Sequence, residues 1–269
     1  MNCSARLDVP VAARAWRRGA LYGMGVIASV ALLSAARAES LEELDDAAAR
    51  MQYAFYTGDA RALEEVVMLM ERTEAGAGLA ALKSYQLAYG HWRLAEVHAA
   101  AGAADRSRSG ARTAAVRAAQ ACARHARAAV VADGRMAEAY AIHAVCDAFS
   151  PAVAEAGTQK RSCNARSLRT ALSITSDNPR IGLIEAMCVN RTYDPEDLRS
   201  VVAAFEAAPP RTAGEPDWGH AEVLAMLGNA YLMRGEPVAA RDALERALVI
   251  APDYRRAQEL LQTAATRPR

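Results

Sequence analysis

Residues 221–254 read AEVLAMLGNAYLMRGEPVAARDALERALVIAPDY, a unit that predicts two short helices around a turn. Leu224, Leu227, Gly228, Tyr231 and Leu232 recur at the i, i+3, i+4, i+7 spacing of a helix that buries one stripe. This spacing predicts a first helix over 217–233. Gly235 stands where a helix can end in a left-handed residue, and Pro237 where the next can begin without a backbone N–H. Ala240, Ala243, Leu244, Ala247 and Leu248 share one face of the second helix. Small residues there let two helix axes approach near the low end of the usual ~8–10 Å range. Such a hairpin cannot cover its own apolar face, so it demands helical neighbours.

Leu224, Leu227-Gly228, Tyr231, Ala240, Leu244, Ala247 and Pro252 stand at the spacing of a tetratricopeptide repeat, which this unit resembles closely. The resemblance implies an all-α right-handed superhelix, an α-solenoid of stacked hairpins, whose first helices line a concave groove for a protein or peptide. On that pattern Glu222, Ala225 and Asn229 face the groove, with Asn229 placed to hydrogen-bond a peptide backbone or a terminal carboxylate. The family's peptide clamps use several Lys and Arg in successive first helices. This chain lacks that set, so that ligand preference does not carry over. The segment 255–265, with Ala257, Leu260 and Leu261, reads as a capping helix.

Upstream, periodicity and breakers predict helices over about 41–56, 59–72, 79–101, 111–131, 136–149, 161–174, 179–190 and 195–208. Ser40 to Glu43 forms a capping box, and Asp59, Asn178 and Asp194 stand at further N-caps. No stretch reads as a strand. The total is about five helix pairs, spaced more widely than the family ideal. Residues 209–217, rich in Pro and Gly, look like a linker. Tyr85, Tyr89 and Trp92, at i, i+4 and i+7 of one helix, fit either core packing or an aromatic ledge beside a groove, with Arg93 next to them.

Residues 1–38 resemble a secretory signal. Arg14, Arg17 and Arg18 precede an apolar run from Gly19 to Ser34, and Ala36-Arg37-Ala38 is a small-x-small cleavage site. The run is shorter than the ~20 residues that span a bilayer, which leaves no membrane span in a mature chain of residues 39–269. Removing Arg6, Arg14, Arg17, Arg18, Arg37 and Asp8 takes 32 basic and 31 acidic residues to 27 and 30, a net charge of −3. That balance gives no nucleic-acid footprint. The expected location is periplasmic or secreted.

Cys3 leaves with the signal, and Cys122, Cys146, Cys163 and Cys188 remain. Cys122 and Cys146 lie equally far on either side of Gly134. On antiparallel helices the outward and return legs then match, so the two residues arrive at the same height. Cys163 and Cys188 are nearly symmetric about Ser176-Asp177. The spacing predicts disulfides Cys122–Cys146 and Cys163–Cys188; the alternative is four buried free thiols. Metal-binding cysteine motifs are absent from the sequence. His91 and His98 could share a helix face, but they have no carboxylate pattern beside them in sequence and read as ordinary helix residues, so no metal or cofactor is expected. No catalytic motif is present. The expected function is that of a non-enzymatic scaffold binding a protein or peptide partner, with Tyr85, Tyr89, Trp92, Arg93, Glu222 and Asn229 as contact candidates. An enzyme or small-molecule carrier with a site in the superhelix cavity is the alternative class.

Overall fold

The computed structural model describes residues 41–73, 75–104, 109–149, 163–189 and 194–266. Their regular secondary structure is helical, with no strand among the described residues. The signal-like residues 1–38, Ser40 of the capping box and the connection around 150–162 lie outside them.

The first helix, α1, covers 41–57. It is followed by α2 (Ala60–Arg72), α3 (Ala80–Ala104), α4 (Ser109–Ala132), α5 (Ala137–Cys146) and α6 (Ala165–Ile174). Then come α7 (Pro179–Val189), α8 (Pro195–Ala207), α9 (His220–Arg234), α10 (Pro237–Ile250) and α11 (Arg255–Thr266). Short 3₁₀ turns at Ala77–Leu79 and Asp147–Phe149 precede α3 and follow α5.

Local chemistry sets these boundaries. Asp59 accepts from the Ala62 N–H at 3.0 Å, and Asp194 caps α8 through the Glu196 N–H at 2.9 Å. Asn178 accepts from the Arg180 N–H at 2.9 Å at the start of α7. Gly235 ends α9 at φ 76°, and Pro237 opens α10. At Gly228 a Cβ would lie 2.5 Å from Leu244 Cγ, so only glycine lets α9 sit this close to α10. Leu224, Leu227, Ala240, Ala243, Leu244 and Ala247 are all buried, and Tyr231 is half-buried against them. Both helices of this hairpin and the helix α11 after it lie where the sequence predicts helices, the first of them starting at His220 rather than at 217.

Consecutive helices pack on one another: α2 on α3, α3 along α4, α4 on α5, α5 on α6, α7 on α8, α8 on α9 and α9 on α10. The two longest, α3 and α4, pack along each other, and α4 buries alanines such as Ala119, Ala126 and Ala129. Helix α5 is buried on nearly every side and touches α3, α4, α6 and α7, which explains its lack of a polar face. The Cα atoms of Cys122 and Cys146 lie 5.8 Å apart, those of Cys163 and Cys188 5.5 Å, and both pairs are joined as disulfides. One staples α4 to α5; the other holds Cys163, two residues before α6, to α7.

One set of contacts spans most of the sequence. Helices α1 and α3 touch the segment before α9 and α9 itself, so the first and ninth helices are joined. The stretch 209–217 is not a free linker. The Asp45 carboxylate accepts from the Gly214 N–H at 2.9 Å and pairs with Arg211, while Gln52 donates to the Asp217 carbonyl at 3.0 Å. Gly214 sits at φ 84°, which favours glycine. Side chains of α1 thus supply the hydrogen bonds that this stretch, neither strand nor helix, cannot make to itself.

Candidate functional site

Five of the six sequence candidates meet where α1, α3 and α9 join. Arg93, on α3, is 2% exposed, and Glu222, in the first turn of α9, is 4% exposed. The Arg93 Nη2 donates to Glu222 Oε1 at 2.8 Å, and its Nη1 donates to Glu96 at 2.7 Å. The other oxygen of Glu222 accepts from the Tyr56 hydroxyl of α1 at 3.0 Å and from the Gly219 N–H at 2.7 Å. One carboxylate therefore joins α1, α3 and the start of α9.

Aromatic rings enclose the guanidinium. Its carbon lies 3.9 Å from the Trp92 ring centre, 4.3 Å from Phe55, 4.9 Å from Tyr89 and 5.6 Å from Trp218. Trp218 stacks on Tyr89 with centroids 5.4 Å apart and meets Trp92 edge-on at 5.5 Å. Its indole N–H donates to the Tyr85 hydroxyl at 2.9 Å, which in turn donates to Glu138 of α5 at 2.6 Å. Arg180 of α7 donates to the Trp218 carbonyl at 3.1 Å and also bonds the Pro216 carbonyl. Tyr254, just before α11, closes the far side against Tyr56 at 4.7 Å.

The electrostatics follow from burial. Desolvation pulls the Arg93 guanidinium down, but Tyr89, Glu96 and Glu222 outweigh it and hold it well above its ordinary value. Burial first, and then the Glu222 charge, raise Tyr56; burial and Glu138 raise Tyr85. Both phenols are neutral donors at physiological pH. The arrangement clamps helices together.

This corrects the ledge. Tyr85, Tyr89, Trp92, Arg93 and Glu222 are internal, because the 216–219 segment and α1 cover the face that a partner would need. Ala225 is buried as well, whereas Asn229 is half-buried, its amide 3.9 Å from the Met233 sulfur, away from the cluster. Sequence reasoning missed Trp218, Phe55, Tyr56 and Glu138. A tryptophan inside a Pro/Gly-rich stretch was the available signal, since large aromatics seldom stay in solvent.

Elsewhere a cleft of about 440 Å³ opens between the turn before α7, α7 and α8. Asp177, Asn178, Glu185, Asp197 and Ser200 line it, with no Lys, Arg or His among its lining residues. On another face, α2 and α3 oppose Glu71 to His91 and Glu64 to His98, at 3.6 and 3.2 Å. The sequence reading of the two histidines overlooked these carboxylates, because both pairs are symmetric about residue 81, which lies inside α3 rather than at the turn that precedes it. Burial and then the neighbouring His125 push the His91 pKa down to about 4, so its ring is neutral near pH 7. No helix of the described residues is long and apolar enough to cross a membrane. No protein-family model matches the chain, and a search of curated proteins returns no significant match.

Proposed function

We propose that the protein is an exported, non-enzymatic scaffold of tetratricopeptide type that binds a protein or peptide partner. In this reading the hairpins form a right-handed stack whose first and ninth helices are joined, and the binding surface is the cleft between α7 and α8. That cleft is the observation that carries the proposal: it is open, runs between the two helices of one hairpin, and is lined by the carboxylates of Asp177, Glu185 and Asp197 beside the hydroxyls of Ser176 and Ser200. Its chemistry suits an extended segment bearing Lys or Arg, or backbone N–H groups in need of acceptors. Export is supported by the signal-like residues 1–38 and by two disulfides, which persist in oxidising compartments.

A photo-crosslinking residue at Ser200 tests the binding site. In an envelope extract it is expected to capture a discrete partner, less efficiently at high salt and not in the Glu185→Lys variant. A crosslinker at Arg256 of α11 is expected to capture none. Equal capture from both positions, or capture unaffected by Glu185→Lys, would remove the cleft as the binding surface.

A further inference from the structure

Three helices bring one metal-ligating side chain each to a single place. Glu71 comes from the last turn of α2, His91 from the middle of α3 and His125 from α4, and one ligand atom of each lies within 4.8 Å of the others. The Glu71 Oε1 and His91 Nε2 atoms are 3.6 Å apart. Two ligands bound at about 2.0–2.2 Å to one tetrahedral ion stand about 3.3–3.6 Å apart, so this pair already has the right separation.

His91 is the informative residue. Both of its ring nitrogens are shut off from water and neither has a hydrogen-bond partner, the Glu71 oxygen standing too far away for one. An imidazole carries a donor and an acceptor, and burying both unmet is a cost that leucine would avoid in the same space. The His91 and His125 rings lie face to face, 5.3 Å apart and 7° from parallel. Two stacked rings cannot both aim an in-plane lone pair at one ion, so binding requires one ring to turn about its Cβ–Cγ bond. His125 is only half-buried and can do so. Glu71 stands on the solvent side with its side chain 47% exposed, which leaves an approach for an ion and a water.

We propose that Glu71, His91 and His125 form a binding site for a divalent transition-metal ion of the zinc type, completed by water. Two imidazoles and one carboxylate are a donor set that suits Zn²⁺ and its neighbours. The surrounding charge narrows the choice. Lys83 donates to the carbonyls of Glu71 and Thr73 at 3.0 and 2.7 Å, and Arg124 acts on both histidines. These cations oppose an ion held by charge alone, so Ca²⁺ and Mg²⁺ are disfavoured relative to an ion held by imidazole bonds.

Zinc titration of the tag-free protein against a chromophoric chelator tests this. One ion is expected to bind, with a dissociation constant of about a micromolar or tighter, and Co²⁺ is expected to give the visible absorption of a four- or five-coordinate centre. His125→Gln and Glu71→Gln, both at positions with solvent access, are each expected to weaken binding by about tenfold or more. His98→Gln, which breaks only the neighbouring Glu64–His98 pair, is expected to leave it unchanged. Circular dichroism of each variant confirms that the fold is kept. Absence of binding, equal affinity in the His125→Gln and Glu71→Gln variants, or loss of binding in His98→Gln would overturn the assignment.

Discussion

Replacing Glu222 by alanine probes the junction of α1, α3 and α9 more sharply than any other single change. Its carboxylate accepts from Arg93, Tyr56 and the Gly219 N–H. Alanine would leave the buried guanidinium with Glu96 alone, and would strand a phenol donor and a backbone donor. Removing one partner of a buried ion pair costs about 3–5 kcal/mol. The aromatic rings around Arg93 remain and soften the loss, as cation–π contacts of a desolvated cation are worth about 2 kcal/mol. We expect about 3–4 kcal/mol by urea denaturation followed by circular dichroism with the disulfides intact, at a chain length where each kcal/mol moves Tm by roughly 2–4 °C. The melting temperature should then fall by roughly 6–16 °C. The double variant Arg93→Met/Glu222→Leu removes the unpaired guanidinium and should recover part of that loss, Tyr56 and the Gly219 N–H still lacking their acceptor. Deleting the exposed Arg61–Glu65 pair should cost less than about 1 kcal/mol. A Glu222→Ala variant within about 1 kcal/mol of the parent, or a double variant less stable than the single one, would refute the reasoning.

Other consequences can be checked with simple measurements. Alkylation of the mature protein without reductant should modify none of Cys122, Cys146, Cys163 and Cys188, and modification of all four would remove both crosslinks. Replacing either pair by alanine should cost about 2–4 kcal/mol, each bond joining residues 24 or 25 apart in sequence. Gly228→Ala should destabilise by about 1–3 kcal/mol because the new methyl meets Leu244, and an unchanged denaturation midpoint would mean that α9 and α10 are farther apart than described. Trp218→Phe removes the donor to Tyr85 and should lower stability by about 1–3 kcal/mol by leaving that buried phenol short of a partner.

The last hairpin was legible because its determinants are local. Gly235, Pro237, Gly228 and Leu244 lie within one unit, and each reports a backbone or packing need directly. The disulfides were legible for a related reason: two helices around a short turn make height a function of residue number. The polar junction was not, because Arg93 and Glu222 are 129 residues apart and Tyr56 and Glu222 are 166 apart. Periodicity marks Tyr85, Tyr89 and Trp92 as one face, but whether that face is covered depends on Trp218 arriving from a distant loop. Glu222 shows the same limit. The repeat pattern places it on the groove side, and only the fold shows that α1 and α3 occupy that position.

Native-state hydrogen exchange tests most directly whether the joined helices form one cooperative unit. Amides of α1 and α2 should open with the same free energy as those of α9, and should lose that protection together in Glu222→Ala. If α1 and α2 instead open at a much lower free energy while α9 stays protected, each hairpin depends only on its neighbours in sequence and the junction does not hold the molecule together.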